Sequence, residues 1–363
     1  MIDSNISDIK WMKRAIYLAS LGKGRTSPNP MVGAVILDKN GNLISEGFHS
    51  KSGMPHAEAM AFSNLKKDAR DGKIYVNLEP CCHQGKTPPC VDKIVSFGIK
   101  EVFVSIKDPD KRVSGKGIKL LKDAGIKVHL GLCEKESQEL NKSFIHRNIT
   151  DNAFGVMKWA MSMDGRVGLK NGKSKWITNK DSRSLVHSHR SGFDAIIIGG
   201  NTLRKDDPLL TSRGMRNPEP LRVVFTKTLD LPEKSNLWDT DSAKTLVVYD
   251  SSTANKKFLK RIPECVEIEE LPSDNPKLLS NLLAKKGCNN VLWECGPKLA
   301  TSAIKAGCIQ ELMTFIAPKI LGGESSMNPF SDFGFIDMDE IFNLNKLEIS
   351  FIGDDIFVKS NIY

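Results

Sequence analysis

Residues 55–81 have the sequence PHAEAMAFSNLKKDARDGKIYVNLEPC, in which a helical pattern is followed by a strand pattern. The spacing of apolar residues predicts a helix over 56–65, and the short apolar run at 74–78 predicts a buried strand. This strand leads almost directly into Cys81, while His56 stands at the start of the helix. The stretch therefore predicts an α/β fold whose helix start and strand end share one polar site.

The alternation of helical and strand patterns continues along the whole chain. In the first half it predicts helices at 8–22, 90–97, 117–124 and 133–148, and strands at 32–37, 44–48, 102–106 and 126–130. In the second half it predicts strands at 154–160, 195–198, 222–226, 245–249 and 291–294, helices at 181–190, 277–285 and 298–305, and paired strands at 312–318 and 347–359. Alternating elements predict a three-layer α/β domain over residues 1–147 and a second α/β domain over 148–363.

Composition places the chain among soluble globular proteins. The 363 residues are 40% hydrophobic and 26% charged, which is ordinary for such proteins and enough for two domains. No apolar run is long enough to span a bilayer, and residues 1–10 lack the apolar stretch of a secretory signal. We therefore expect a cytoplasmic protein with no membrane association.

Positive charge is concentrated in the first half of the chain. The net charge is +9, of which residues 1–147 contribute +8, from 24 Lys and Arg against 16 Asp and Glu. A basic region suits an anionic partner, either a phosphorylated small molecule or a nucleic acid. A solvated surface rich in lysine explains the same charge equally well.

Three residues of the first half have the chemistry of a zinc site. The order is Pro55-His56-Ala57-Glu58, then Pro80-Cys81, then Pro89-Cys90. One imidazole and two thiolates suit zinc, and a site with three protein ligands leaves a position open for a water molecule that the metal activates. Glu58, on the first turn of the helix, can move a proton between that water and a leaving amine. Cys81 and Cys90 are both expected at helix N-termini, which favour thiolates.

The spacing of the two cysteines departs from the usual deaminase pattern. His-x-Glu with Pro-Cys-x-x-Cys is typical of zinc nucleobase deaminases, but eight residues separate Cys81 from Cys90 here. Cys82 or His83, within that insert, could replace one of the ligands. The order of the motifs nevertheless favours His56, Cys81 and Cys90.

At these motifs the chain resembles the bifunctional deaminase/reductase family of riboflavin biosynthesis. The matching segments are 28–33 (PNPMVG), 55–58 (PHAE), 79–90 (EPCCHQGKTPPC), 158–165 (KWAMSMDG), 176–178 (WIT), 206–208 (DDP), 294–297 (ECGP) and 317–323 (APKILGG). They extend over nearly the whole chain. The long insert between the cysteines separates this family from cytidine and tRNA-adenosine deaminases.

The resemblance implies a fold and two successive reactions. A cytidine-deaminase-like domain would deaminate 2,5-diamino-6-ribosylamino-pyrimidinone 5′-phosphate, with zinc on His56, Cys81 and Cys90 and Glu58 as proton donor. A domain similar to dihydrofolate reductase would then reduce the ribosyl chain with NADPH. Pairing of two chains through this second domain is also expected, and nucleic acid is not expected as a partner.

The resemblance also implies contact residues in the second half. The cofactor contacts correspond to Ala160, Trp176, Thr202, Asp206, Gly296, Pro297, Lys298, Leu299, Ala300, Thr301 and Ser302. The substrate contacts correspond to Ser174, Arg190, Leu210, Arg213 and Glu294. Asp164 and Asp206 are candidates for the proton donor of the reduction.

The residues themselves support part of this assignment. A strand at 291–294 followed by a helix from Gly296 is a weak phosphate-binding signal by itself, because exposed helix N–H groups attract phosphate. Arg190 and Arg213 have the planar donor groups that suit phosphate, although surface arginines are equally common.

Three cations stand where the family usually has less charged residues. Lys227 occupies a cofactor position that usually holds a small hydroxyl residue, so this contact is either lost or replaced by a lysine. Arg204 and Lys205 are hypothesised to add attraction for the phosphates of NADPH.

Two other functions fit part of the pattern. A nucleic-acid or nucleoside deaminase with an accessory NADPH-binding domain would suit the basic first half, but no basic tract is interleaved with aromatic residues for base stacking. A non-enzymatic NADPH-binding regulator with a structural zinc would need a closed site with four ligands, whereas only three strong ligands are present.

Overall fold

The structure, a computed structural model, describes residues 6–82, 88–111, 113–323 and 326–362. The chain divides into two compact units, Met1–Thr150 and Asp151–Tyr363. The boundary expected from sequence, between residues 147 and 148, falls within the last turn of the helix that ends at Thr150. This helix is mostly polar, so its pattern does not mark where it ends.

The first unit is a twisted sheet covered by helices. Its strands are β1 (Gly33–Leu37), β2 (Leu43–Phe48), β3 (Lys73–Leu78), β4 (Glu101–Ile106) and β5 (Lys127–Leu130), and its helices are α1 (Ile6–Ser20), α2 (Ala57–Ser63), α3 (Cys90–Ser96), α4 (Lys116–Asp123) and α5 (Glu134–Thr150). The strand order is β2-β1-β3-β4-β5. β1 is antiparallel to both of its neighbours, whereas β3, β4 and β5 are parallel.

Both faces of this sheet are buried, which explains the continuous apolar run in β1. Ala34 and Ile36 pack with α2, α3 and α4, whereas Val35 and Leu37 pack with α1. Successive strand residues point to opposite faces, so an all-apolar strand needs a helical layer on each side. Gly33 lets α1 approach closely, because a Cβ there would lie 2.1 Å from the carbonyl oxygen of Ala15. The expected three-layer α/β architecture is confirmed.

The second unit is a larger mixed sheet. Its strands are β6 (Phe154–Ser162), β7 (Ala195–Gly199), β8 (Leu221–Thr226), β9 (Thr245–Asp250), β10 (Glu267–Leu271), β11 (Asn290–Trp293), β12 (Glu311–Ala317), β13 (Leu344–Ile352) and β14 (Asp355–Ile362). Its helices are α6 (Lys180–Arg190), α7 (Gly200–Asp206), α8 (Pro276–Lys285) and α9 (Pro297–Lys305), with 3-10 helices at Asn236–Trp238, Lys256–Arg261 and Met338–Glu340. The strand order is β10-β9-β8-β7-β11-β6-β12-β14-β13. The strands from β10 to β12 are parallel, and β14 and β13 are antiparallel to their neighbours.

Two apolar clusters cover the two faces of the second sheet. Trp293 belongs to one cluster with α8 and α9, and the neighbouring Leu292 belongs to the other. Because the strands from β10 to β12 are parallel, their carboxyl ends lie along the same end of the sheet. In open α/β sheets, ligands bind at this end. In the described part of the chain, no helix is both long enough and apolar enough to cross a membrane.

The second unit contains elements that the sequence patterns did not predict. α7 was missed because it has only 7 residues and begins with Gly200, and β10 was missed because its residues are largely exposed and charged. The segment 347–359 contains parts of two strands, β13 and β14, which are joined by a turn at Gly353 with a φ of 59°. β12 pairs with β14 as expected, and β13 adds the outer strand.

Candidate active sites

His56, Cys81 and Cys90 come together at the carboxyl end of β3. His56 immediately precedes α2, Cys81 follows β3, and Cys90 is the first residue of α3. His56 Nδ1 lies 3.5 Å from the Sγ atom of each cysteine, and the three donor atoms lie within 4.8 Å of one another. Donors bound to a tetrahedral zinc ion lie roughly 3.5–3.8 Å apart, so the three side chains fit that ion.

The expected helix N-terminus at Cys81 is wrong, and only Cys90 begins a helix. Cys81 lies in the loop after β3, because Pro88 and Pro89 favour extended backbone and α3 starts only at Cys90. The backbone N–H of Cys90 donates to Cys81 Sγ at 3.4 Å. Hydrogen bonds from Cys90 and His56 lower the pKa of the Cys81 thiol, while the bond to Cys81, followed by burial, raises that of Cys90. The site therefore stabilises a thiolate on Cys81.

Of the two alternative zinc ligands in the insert, Cys82 and His83, the structure describes only Cys82. Cys82 packs against the apolar cluster of the first unit, and burial raises the pKa of its thiol. In the part of the chain that the structure describes, Cys82 is not among the clustered donors. His83 lies outside the described residues.

Glu58 is a buried carboxyl beside the three donor atoms. It lies on the first turn of α2, and 3% of its surface is exposed. Burial raises the pKa of Glu58 to about 7, and the charge on Cys81 contributes to the increase. A zinc ion would lower this pKa, since a nearby cation favours the carboxylate. A buried carboxyl group next to the metal donors is placed to accept a proton and to donate it again.

A cavity of about 240 Å³ opens onto the metal-binding residues. Its lining includes Asn29, His49, Glu58, Asp108 and Arg147 together with His56 and Cys81. The cavity is thus bordered by the proton carrier, by two of the metal donors and by side chains that can bind a polar ring.

Two buried asparagines fix one wall of this cavity. The side-chain oxygens of Asn141 and Asn77 accept hydrogen bonds from the backbone N–H groups of Met31 and Gly33, both at 2.9 Å. The side-chain amides of Asn141 and Asn77 also donate to the carbonyl oxygen of Met31, at 2.9 and 3.0 Å. Helix α5 and strand β3 therefore hold the loop that precedes β1 in one conformation.

The interpretation of the sequence assigned no role to Asn29 or His49, which face the same cavity. His49 Nδ1 donates to the carbonyl oxygen of Pro55 at 3.1 Å, so Nε2 accepts from the amide of Asn29, also at 3.1 Å. Burial lowers the pKa of His49, which agrees with this neutral ring. The Pro28-Asn29-Pro30 motif was a signal for Asn29, whereas nothing local distinguishes His49.

Glu79 supports another part of the cavity lining and is not one of the clustered metal donors. Its carboxylate accepts backbone N–H groups of Asp108, Gly115 and Ile118, at 3.2, 2.8 and 3.1 Å. The side chain is 3% exposed. A carboxylate that accepts several backbone N–H groups orders the loop that donates them. Glu79 therefore holds the loop that carries Asp108.

The second unit contains a largely buried cluster of three charged side chains at the end of β11. Glu294, directly after β11, accepts hydrogen bonds from Arg190 Nε at 2.7 Å and from Arg190 Nη2 at 3.1 Å. Lys158 Nζ of β6 lies 3.0 Å from the same carboxylate. Burial by itself would raise the pKa of Glu294, but Arg190 and Lys158 outweigh burial and hold it below the usual range. Lys158 was not assigned a role from sequence.

The structure brings some of the expected substrate residues together. Arg190 Nη1 donates to the carbonyl oxygen of Thr211 at 3.2 Å, which places the segment containing Leu210 and Arg213 next to Glu294. Arg190 therefore makes its main bonds to protein groups. Within the described ranges, no hydrogen bond or ion pair connects Ser174 to this cluster.

A larger cavity, of about 630 Å³, lies at the carboxyl ends of β7, β8 and β11. Of the expected cofactor residues, those lining it are Thr202, Gly296, Pro297, Lys298, Leu299 and Ser302. A Cβ at Gly296 would meet only Thr202 Oγ1, at 3.9 Å, so a side chain there would project into open space. The volume, the glycine and the start of α9 together fit a nucleotide with its phosphates at the helix N-terminus.

The remaining expected cofactor residues lie outside this lining. Ala300 packs in the core, and Thr301 Oγ1 bonds to the backbone of Ser331. Trp176 is 64% exposed with the Arg183 guanidinium 4.5 Å from its ring centre. The other two are Ala160, on β6, and Asp206, at the end of α7.

Of the three cations noted above, Arg204 and Lys227 line the larger cavity. Lys227 Nζ lies 3.2 Å from Asp274 Oδ2, and the guanidinium of Arg204 donates to the carbonyl oxygen of Asp230. Lys205 does not belong to the described lining of the cavity and lies near Gly172.

Asp164 is held as a carboxylate, which disfavours it as a proton donor. It accepts hydrogen bonds from Ser162 Oγ at 2.5 Å and from the backbone N–H groups of Gly322 and Leu321 at 2.7 and 3.1 Å. These bonds lower the pKa of Asp164 to about 2. Asp164 therefore fastens the loop after β12 to the end of β6.

Comparison with known proteins agrees with both halves of this description. Residues 5–106 match the model of the cytidine and deoxycytidylate deaminase zinc-binding region, and residues 153–358 match the RibD C-terminal domain. Riboflavin biosynthesis protein RibD of Synechocystis sp. is 42% identical over 96% of this chain and 95% of its own length. The same protein of Aquifex aeolicus is 37% identical, over 97% of each chain.

Solved structures show the same similarity over both units. RibD of Acinetobacter baumannii has a TM-score of 0.88 and 33% identity, covering 98% of this chain and 99% of its own. A diaminohydroxyphosphoribosylaminopyrimidine deaminase/5-amino-6-(5-phosphoribosylamino)uracil reductase of Thermotoga maritima has a TM-score of 0.85 and 33% identity, covering 98% of each chain.

The fold and the sites define a bifunctional enzyme, with a zinc-binding deaminase domain followed by a reductase domain. The first domain is cytidine-deaminase-like, as expected. The chain belongs to the RibD family of riboflavin-biosynthesis deaminase/reductases.

Proposed function

We propose that the chain catalyses two successive steps on one phosphorylated pyrimidine. The first unit deaminates 2,5-diamino-6-ribosylamino-pyrimidinone 5′-phosphate, and the second reduces the ribosyl chain to give 5-amino-6-(5-phosphoribitylamino)uracil. The relative from Thermotoga maritima, which matches along 98% of both chains, is named for these two activities. The observation that carries the proposal is the cluster of His56, Cys81 and Cys90 with Glu58 beside it.

In the deaminase site, each residue has a distinct task. His56, Cys81 and Cys90 hold zinc, which supplies a Lewis acid that lowers the pKa of a water molecule. Glu58 would take a proton from that water and deliver it to the amino group, which leaves the ring as ammonia while the water oxygen takes its place on the same carbon. Its position supports this role, because Glu58 lies buried on the first turn of α2 and lines the cavity next to His56 and Cys81.

In the reductase site, the larger cavity binds NADPH, which supplies the hydride. Thr202, Ser302 and residues 296–299 line this cavity and would contact the cofactor from its wall. The family resemblance adds five further contacts with the cofactor, at Ala160, Trp176, Asp206, Ala300 and Thr301. Ala300 and Thr301 would contact it through their backbone.

The charged cluster at β11 orients the substrate of the reduction. Glu294 accepts hydrogen bonds from it, with its carboxylate held ionised and aligned by Arg190 and Lys158. Ser174, Leu210 and Arg213 complete the substrate site, and Arg213 is the phosphate partner because Arg190 is occupied by Glu294.

Glu58→Gln tests the assignment of the first site. This variant keeps the shape of the side chain but cannot carry a proton, so deamination should fall by about 10²–10⁴-fold. Bound zinc, measured by elemental analysis, should stay at the wild-type level. Reduction of the separately prepared deaminated intermediate, measured as the loss of the ultraviolet absorbance of NADPH, should be unchanged.

Other outcomes would contradict parts of the proposal. If wild-type protein with the diamino-pyrimidine phosphate shows neither loss of the amine nor NADPH oxidation, the proposed substrate is wrong. If Glu58→Gln deaminates normally, Glu58 is not the proton carrier. If the variant also fails to reduce the intermediate, the two sites are not independent.

We also propose a cellular location and an oligomeric state for the enzyme. The enzyme acts in the cytoplasm, and two copies pair through the reductase unit. Exposed apolar side chains on β13, including Ile349 at 64% and Phe351 at 73%, support the pairing. Light scattering of the purified full chain would measure it.

A further inference from the structure

Residues 207–220 connect α7 to β8 and contain two of the expected substrate contacts, Leu210 and Arg213. Both residues have left-handed backbone, with a φ of 53° at Leu210 and of 58° at Arg213. Residues other than glycine rarely adopt this conformation, and it persists only where the surrounding structure imposes it. Specific contacts must therefore hold Arg213 in this conformation.

The carboxylate of Glu219 binds the backbone on both sides of Arg213. Its Oε2 accepts the N–H of Ser212 at 2.6 Å, and its Oε1 accepts the N–H of Gly214 at 2.8 Å. Hydrogen bonds to a charged acceptor are shorter and stronger than those between neutral groups. Because each carboxylate oxygen takes one of these N–H groups, Glu219 fixes the course of the chain through Arg213.

Glu219 is itself held in place by its neighbours in the sequence. It lies between Pro218 and Pro220, two residues before the start of β8. Proline fixes its own φ, and it restricts the residue before it to extended backbone. The main chain at Glu219 is therefore restricted on both sides and attached directly to the sheet, so that its carboxylate is a firm anchor for the loop.

The guanidinium groups of Arg213 and Arg190 differ in what they bind. Arg190 is buried and paired with Glu294. Arg213 is exposed, and among the described residues its guanidinium forms no hydrogen bond or ion pair. Burial, followed by the positive charges of Arg190 and Arg213, lowers the pKa of His187, while Glu294 acts on His187 in the opposite sense. Arg213 is thus an unpaired cation close to the charged cluster at β11.

We propose that Glu219 is a positioning residue for the reduction, which directs the guanidinium of Arg213 to the phosphate of the substrate by holding Arg213 in left-handed backbone. The inference rests on the proposed function, in which Arg213 is the phosphate partner. Without Glu219, the backbone at Arg213 relaxes to a right-handed or extended conformation, which turns the guanidinium away. Glu219 does not contact the substrate, since both of its oxygens bind the backbone.

Glu219→Ala tests this role through the steady-state kinetics of the reduction by the full chain. KM for the deaminated intermediate should rise about tenfold, as for the loss of one charge-assisted phosphate contact. The kcat should stay near the wild-type value, because a contact with the phosphate is made equally in the ground state and the transition state. The rate with the dephosphorylated intermediate should be unchanged, and so should the NADPH affinity measured by calorimetry.

Further variants separate positioning from general stability. Glu219→Gln keeps one acceptor oxygen, so KM should rise by a smaller factor, about threefold. Arg213→Ala should raise KM about tenfold, and adding Glu219→Ala to it should cause no further rise, because Glu219 acts through the lost guanidinium. Asp337→Ala is the matched control, since its carboxylate also accepts a backbone N–H, that of Asp339 at 3.2 Å, and it should leave KM unchanged.

The possible failures are distinguishable. If wild-type protein does not reduce the deaminated intermediate, the proposed function of the second unit fails. If Arg213→Ala leaves KM unchanged, Arg213 is not the phosphate partner and the role of Glu219 is refuted with it. If Arg213→Ala raises KM but Glu219→Ala does not, or if the two effects are additive, positioning by Glu219 is refuted.

A merely structural role of Glu219 would give a different result. In that case Glu219→Ala would lower the rate with the phosphorylated and the dephosphorylated intermediate equally, which also contradicts the proposal. If Glu219→Ala no longer binds NADPH, the second unit is misfolded, and the kinetics of Glu219→Gln then decide by the same comparison of the two intermediates.

Discussion

Replacing Glu294 with glutamine should destabilise the second unit in a way that depends on pH. The substitution keeps the shape of the side chain but removes the carboxylate that is paired directly with Lys158 and Arg190. The side chains of these two cations are 17% and 11% exposed, so water compensates little of their charge. Removing one partner of a buried ion pair costs about 3–5 kcal/mol. We expect about 3 kcal/mol at pH 7, because the amide oxygen can still accept one hydrogen bond.

The pH dependence follows from the lowered pKa of Glu294 in the folded protein. A carboxyl group of this kind contributes its full stability above its unfolded pKa of about 4.3 and loses it as pH falls towards the folded pKa. The difference between wild type and Glu294→Gln should therefore be constant from pH 7 to about 5. Below about pH 4.3 it should shrink by up to about 1.4 kcal/mol per pH unit.

Urea unfolding followed by tryptophan fluorescence can measure this difference, since four of the five tryptophans lie in the second unit. Glu233→Gln is a suitable control, because Glu233 is 75% exposed and lies 3.7 Å from Arg261. An exposed pair of this kind is worth at most about 1 kcal/mol. Equal unfolding midpoints for wild type and Glu294→Gln at pH 7, or a difference that stays constant down to pH 3, would refute the reasoning.

Two other changes test the two sites separately. Cys90→Ser removes one of three soft donors, so zinc should be lost on dialysis against a mild chelator and deamination should fall with it, while NADPH binding stays normal; retention of one zinc per chain would show that another residue completes the site. Gly296→Val places a side chain in the cavity at the start of α9, so calorimetry should show NADPH binding weakened by about tenfold or more with deamination unchanged. Normal NADPH affinity in that variant would place the cofactor elsewhere.

Many features of the chain follow from local sequence alone. The helix starting after His56 and the strand ending before Cys81 were predicted because period and burial are properties of short segments. Zinc chemistry was predictable for the same reason, since residue types and order are enough to identify His56, Cys81 and Cys90 as suitable donors. The local pattern wrongly predicted a helix start at Cys81. The two prolines just before Cys90 favour extended backbone, so the helix begins only at Cys90.

Other features depend on contacts that no local pattern contains. Lys158, Arg190 and Glu294 come from β6, α6 and the end of β11, and only the strand order makes them neighbours. The neutral state of His49 depends on its burial and on hydrogen bonds to Asn29 and Pro55.

The sequence by itself determined the α/β class, the division into two catalytic halves and the ligands suited to zinc, because these depend on residue type and short-range spacing. Only the tertiary structure decided that Arg190 is paired with Glu294, that Glu58 is buried next to the metal donors, and that Lys227 meets Asp274. Burial and the approach of distant charges control these properties, and both arise only when each unit has assembled its sheet and helices.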